Sequence, residues 1–442
     1  MPSSPHLSPT PHPSFSEAFR FWLKLGFISF GGPAGQIAIM HEELVERRRW
    51  ISEGRFLHAL NFCMLLPGPE AQQLAIYAGW LLHGTWGGIV AGGLFVLPSA
   101  VILWALSYAY VTFGTWPMAA GVLAGLKLAV LAIVAAAAVR IGKKVIKNEV
   151  MAGIAILSLM LIVTINMPFP MIVLGAGLLG FLGSKRWPRK FIVLDVKTTN
   201  ESADSSATNE ESVDSERTTS LGRALRIILT GGLLWWLPVF AVGSWHGWKG
   251  TLFQQGLFFS KAAVVTFGGA YAVLPYVAQE AVWGFGWLAP GQMFDGLGLA
   301  ETTPGPLIMV LQFVGFVGAW QHPGGLAPLV AATLGAALTT WVTFVPCFIW
   351  VFLGAPHVER ARRFPALSAA LSTITAAVVG VIASLAVRFG AEVLWVGRAK
   401  VEWLGLVLVC VGFVGLVRWK WGVIPVILAG VAVGLIRYFT GL

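Results

Sequence analysis

Lys24 and Lys261 each stand in an apolar stretch, seven residues before a Gly-Gly pair, Gly31-Gly32 and Gly268-Gly269. Farther along come Pro67-Gly68-Pro69 and Pro304-Gly305-Pro306. A helix broken inside a membrane leaves free N–H groups at the start of its second half, and the peptide dipoles add partial positive charge there. Glycine lets a ligand approach that backbone closely. Four such ends with two intramembrane lysines suit an anion, because an ionisable residue in the membrane is costly and marks function by default. All twelve of these residues are therefore expected at a substrate site: the two lysines, the four glycines of the pairs and both Pro-Gly-Pro turns. Glu43, Glu280, Glu301 and Lys127 are expected as coupling or pathway residues, with Asp295 and Glu70 flanking the second breaks.

These residues recur because the chain is duplicated. Lys24 returns as Lys261 and Pro67 as Pro304, one offset of 237 that also pairs Glu43 with Glu280, Trp50 with Trp287 and Gly54 with Gly291. Chance similarity between apolar segments would not hold that register, and an internal repeat outranks other signals.

The composition, 57% hydrophobic and 11% charged, excludes a soluble domain, which carries roughly 25% charged residues. Runs such as 87–110 and 123–139 approach the roughly 20 residues that cross a bilayer as helix. The expected fold is an all-α polytopic membrane protein of about 13 hydrophobic elements, two inverted-topology repeats with broken or re-entrant helices. The expected divisions are a flexible tail over 1–14, a first repeat over 15–190, an acidic disordered linker over 191–222, a connecting helix over 223–250, and a second repeat over 251–442. One extra crossing inverts the second copy if each repeat crosses an even number of times. Consistent with this, Arg47, Arg48 and Arg49 correspond to the uncharged Gly284, Phe285 and Gly286.

Each broken element is either a single crossing or a re-entrant hairpin. The hairpin is preferred, because it gathers Arg47–Arg49, Lys143–Lys147, Lys185–Lys190, Arg360–Arg363 and Arg418–Lys420 on one face, with Arg398 and Lys400 on the other. The net charge of +10 thus reads as topology and not as a nucleic-acid patch. Cys63, Cys347 and Cys410 are spread through apolar helices, which argues for neither disulfide nor metal. The sequence has no G-x-x-x-x-G-K-[ST] loop, no paired zinc histidines and no G-x-S-x-G elbow. An enzyme, a cofactor and direct ATP use are accordingly not expected.

Phe30-Gly31-Gly32-Pro33, Arg49-Trp50, Leu66-Pro67-Gly68-Pro69, Thr266-Phe267-Gly268-Gly269-Ala270-Tyr271 and Glu301-Thr-Thr-Pro304-Gly305-Pro306 resemble the chromate ion transporter family, long-chain bidomain type. That resemblance implies a prokaryotic inner-membrane protein whose halves have opposite topology and which exports chromate, with sulfate as a competitor. The function expected is a secondary transporter that confers chromate resistance, with an importing, proton-coupled sulfate or oxyanion permease as the alternative. The partners expected are the dianion and the lipid bilayer, and a homodimer is the oligomer considered. The N-terminus and linker are expected in the cytoplasm, and rocking of one repeat against the other is the expected motion.

Overall fold

A computed structural model describes residues 12–191, 221–355, 365–396 and 400–440. Most of the tail and of the acidic linker, together with Arg360–Arg363 and Arg398, lies outside the described residues. The first repeat contains α1 (Phe15–Ile28), α2 (Gly32–His41), α3 (Glu53–Cys63), α4 (Glu70–Phe113), α5 (Pro117–Val145), α6 (Glu149–Ile165) and α7 (Phe169–Arg186). The connecting helix is α8 (Leu221–His246). The second repeat contains α9 (Thr251–Val265), α10 (Ala270–Gln279), α11 (Gln292–Thr302), α12 (Val310–Gln321), α13 (Pro328–Gly354), α14 (Pro365–Leu394), α15 (Trp403–Val417) and α16 (Val423–Thr440). Six of these helices are long and apolar enough to cross a membrane. The protein is an all-α polytopic membrane protein, as its composition requires; a two-residue strand pair before α15 is the exception among the described residues.

Helix starts follow ordinary capping chemistry. The Ser14, Ser52 and Asn148 side chains accept from the third N–H beyond them, and Pro33 and Pro117 occupy first turns. The breaks are set by glycine: Gly31 and Gly32 have φ of +88° and +72°, and Gly268 and Gly269 have +80° and +92°. An L side chain rarely adopts these angles, so the helix cannot continue through them.

The broken elements are hairpins. Arg48, beyond α2, pairs with Glu17 at the start of α1 at 3.5 Å, and the Phe21 and Trp50 rings meet at 5.4 Å. The second repeat repeats this contact with Phe258 and Trp287 at 5.7 Å. α3 enters beside α2, with His41 Nε2 2.7 Å from Glu53. The first limb of α4 returns to the same level, where His83 Nε2 lies 3.0 Å from the Pro13 carbonyl. α4 then breaks at His83 and Gly84, and its second limb crosses the membrane. Likewise Gln321 at the end of α12 donates to Gln292 at the start of α11 at 3.0 Å.

The two sets of hairpins open on opposite faces. α8 spans between them, since the Arg223 guanidinium lies over Trp80 at one end and His246 abuts Gly324 at the other. The first face carries Arg47–Arg49, Lys143, Lys144, Lys185, Arg186, Arg418 and Lys420; it is called the basic face below.

Packing does not separate the chain into its two repeats. α5, α6 and α7 of the first repeat pack with α14, α15 and α16 of the second; the hairpins, α8, the second limb of α4 and α13 form the other bundle. In lipid, helices associate by close contact of small residues more than by apolar burial. The swapped pairing uses such contacts: a Cβ on Gly125 would collide with the Gly430 carbonyl, and one on Gly180 with the Thr373 hydroxyl. In the hairpin bundle, Gly88 and Gly92 receive the Phe352 and Phe348 rings of α13.

Candidate functional site

The four breaks meet at the centre of the hairpin bundle. Gly68 N–H donates to the Thr266 carbonyl and Gly305 N–H to the Ser29 carbonyl, each at 2.7 Å. Ser29 and Thr266 end α1 and α9, and their hydroxyls turn back to the Leu25 and Ala262 carbonyls at 2.6 Å, so neither is a free donor. Gln36 Nε2 donates to the Gly305 carbonyl at 2.5 Å, and Gln73 Nε2 donates to that of Pro67 at 2.7 Å. Pro67-Gly68-Pro69 and Pro304-Gly305-Pro306 are thus interlocked with the opposite repeat. Their glycine N–H groups, expected to face substrate, are committed to this lock.

Between the breaks and the second bundle lies a cavity of about 210 Å³. It is large enough for more than one water molecule, whose share of liquid volume is about 30 Å³. Gly31, Gly32, Gly268 and Gly269 line it, with Ala270 and Tyr271 beyond the second pair. Here the first turns of α2 and α10 present N–H groups that have no preceding helical carbonyl. Glu70, in the first turn of α4, also lines the cavity and brings a third helix N-terminus to it.

Arg140 and Lys144 face these ends from α5, one turn apart. Glu301 of α11 is 8% exposed and accepts from the Tyr271 hydroxyl at 2.5 Å. The Arg140 charge acts on Glu301 and the Lys144 charge on Glu70. Two cations, two carboxylates and three helix N-termini thus surround one space. It lies toward the basic face, because its lining includes Val145, Leu416 and Val423 at the ends of α5, α15 and α16 on that side.

The other expected residues fall elsewhere. Lys24 and Lys261 are exposed on equivalent outer faces of α1 and α9. Seven residues would align lysine and glycine only on an unbroken helix, but α1 ends at Ile28, and the chain turns before the second turn is complete. Their stems are long enough to carry the ammonium to the interface. Glu43 is held by Arg47 and Arg48 at 3.1 and 3.3 Å, at the mouth of the first hairpin. Glu280 begins the equivalent π-helical turn in the second. Lys127, which looks unpaired in sequence, lies 3.3 Å from Asp295.

Sequence reasoning missed Arg140 and Lys144 because they merge with the basic end of a span. The available signal was Arg140 directly after 123–139: α5 continues to Val145, so Arg140 shares a face with Ile133, Ala136 and Ala137.

A family model described as chromate transporter matches residues 16–181 and 253–435. The chain is 30% identical over 437 residues to the chromate transport protein of Cupriavidus metallidurans, covering 98% of this chain and 96% of that one. It is 31% identical over 429 residues to the chromate transport protein of Pseudomonas aeruginosa, covering 95% and 91%. A probable chromate transport protein of Synechococcus elongatus is 28% identical over 384 residues, 86% of each chain. No solved structure matches. With paired hairpins, an interlocked centre and a charged cavity spanned by both halves of that match, the chain belongs to the chromate transporter family, a family of transporters and not of enzymes.

Proposed function

We propose that this chain exports chromate, or a related tetrahedral oxyanion, from the cytoplasm across the inner membrane and so confers chromate resistance. The observation that carries this reading is the cavity itself: Arg140 and Lys144 facing the helix starts at Gly31-Gly32, Gly268-Gly269 and Glu70. Each helix N-terminus carries about half an elementary charge, so the space is net positive even with Glu70 and Glu301 ionised. Pro67-Gly68-Pro69 and Pro304-Gly305-Pro306 hold those ends in place, and the carboxylates keep the site from retaining its anion.

Direction follows from charge. The basic face is cytoplasmic by the positive-inside rule, which puts the N-terminus, the linker and the side of the protein that holds the cavity inside. A potential negative inside favours outward movement of a dianion by about 4.6 kcal/mol per 100 mV, twice the single-charge figure. Sulfate, with the same charge and shape, competes. The second reading, import of sulfate or another oxyanion coupled to protons, is favoured by the Tyr271–Glu301 pair inside the cavity.

The test is initial uptake of radiolabelled chromate into inside-out vesicles, with and without sulfate, for wild type and Arg140→Gln. Sulfate-sensitive uptake that falls at least tenfold in an equally expressed Arg140→Gln supports the reading. Uptake indifferent to Arg140, or seen in right-side-out vesicles alone, sinks it.

A further inference from the structure

At the face opposite the cavity, the same two helices that carry Arg140 and Glu301 make a closed ion pair. Lys127 of α5 lies 3.3 Å from Asp295 of α11, which is 4% exposed and also accepts from the Tyr110 hydroxyl at 3.0 Å. Glu392 of α14 completes the group: a Cβ on Gly291 would sit 3.3 Å from its Oε1 and 3.4 Å from Lys127 Nζ. Lys127 and Glu392 belong to one bundle, and Asp295 and Tyr110 to the other. From Lys127 to Arg140 is about 20 Å along α5 at 1.5 Å per residue. The interface between the bundles is therefore bolted by charge at one end and parted around charge at the other.

A pair whose carboxylate is buried while its lysine stays 29% exposed is a poor choice for mere adhesion. Its desolvation cancels most of its attraction, and well-packed apolar residues of similar volume hold as well or better. Its better-attested use is to specify one of two arrangements.

We infer that Lys127 and Asp295 form the exit gate of the transporter, and that opening it exchanges this pair for closure of Arg140 onto Glu301 at the cytoplasmic end. Resting on the transport reading above, the inference adds the moving interface, which runs between the swapped bundles and not between the repeats. It also adds a role for Lys127: once released from Asp295, it is the next cation along α5 for the departing anion. Tyr110 and Glu392 are positioning residues that hold the acid and the base in register.

The experiment reads gate position without cargo. Cys63, Cys347 and Cys410 are replaced by Ala, and one reporter thiol is introduced. Ala137→Cys reports the cavity; Ser384→Cys reports the small space beside Arg388 and Glu392 at the other end. Labelling by a membrane-impermeant maleimide is timed from each face, in protein that elutes as a single species. Lys127→Gln and Asp295→Asn are each expected to speed labelling at 384 at least fivefold and to slow it at 137. The exchange Lys127→Asp with Asp295→Lys is expected to restore both rates. Should Lys127→Gln fail to fold, Tyr110→Phe carries the test, with a smaller shift in the same direction. Unchanged rates at both reporters, or no recovery on charge exchange, overturns the gate. A gate that opens as stated in a protein that moves no chromate would leave this inference standing and remove the cargo assignment alone.

Discussion

Gly68 of the first repeat donates its N–H to the Thr266 carbonyl of the second at 2.7 Å, and the symmetry-related Gly305 does the same to Ser29. Each bond ties the turn of one hairpin to the broken end of another, so the four breaks form one unit across the repeat boundary. The glycines are needed twice over. Gly68 has φ of +121° and Gly305 +99°; a Cβ on Gly68 would meet Cys347 Sγ at 2.9 Å, and one on Gly305 would meet Ser99 Cβ at 2.7 Å. Gly68→Ala and Gly305→Ala are therefore each expected to cost about 1–3 kcal/mol from backbone strain alone, with the clash added. Gly93→Ala, which meets nothing within 4 Å, serves as the neutral control. Thermal unfolding in detergent checks this: equal midpoints for Gly68→Ala and Gly93→Ala would show that the lock is not under steric demand.

Much of this arrangement is legible in the chain. The constant offset of 237 predicts the paired breaks, and the lone basic loop Arg47–Arg49 predicts hairpins that open on opposite faces. What cannot be read is partner choice. Ser99 and Cys347 fill equivalent places against the two turns although they are 248 residues apart, because extra residues ahead of α13 shift the register after the second hairpin. The swapped bundles depend on backbone approaches such as Gly125 to Gly430, and single glycines in apolar helices do not announce a partner. Lys24 and Lys261 mislead for a local reason, since sequence spacing gives a helix face only while the helix continues.

Placement of those lysines yields the second prediction. Both are exposed on the outer faces of α1 and α9, away from the cavity-lining residues. Lys24→Gln with Lys261→Gln should leave chromate uptake within about twofold of wild type, since isolated surface charges contribute roughly 0–1 kcal/mol. Uptake assays on matched amounts of protein decide it. A tenfold loss would mean that the lysines reach substrate in a conformation other than this one.

Glu301 separates binding from release. Glu301 sits in the cavity with Arg140 acting on it and Tyr271 donating to it at 2.5 Å. Ionised, it opposes a dianion in the same space; Glu301→Gln removes that opposition with little change of shape. One charge removed from a partly dry site is worth at least about 1.4 kcal/mol, a factor of ten. The variant should therefore bind chromate about tenfold more tightly and turn over more slowly, because an anion held by Arg140 and the helix starts with less repulsion leaves late. Tyr271→Phe should act in the opposite sense. It keeps the ring but strips the carboxylate of its donor, and a hydrogen bond to a charged group is worth about 1.5–3 kcal/mol. With that donor gone, Glu301 is free to pair with Arg140 and compete with substrate for it. Chromate affinity by equilibrium dialysis, set beside maximal uptake rate, checks both variants. A Glu301→Gln that binds more weakly than wild type would mean that the carboxyl group contacts the anion as a donor and does not repel it.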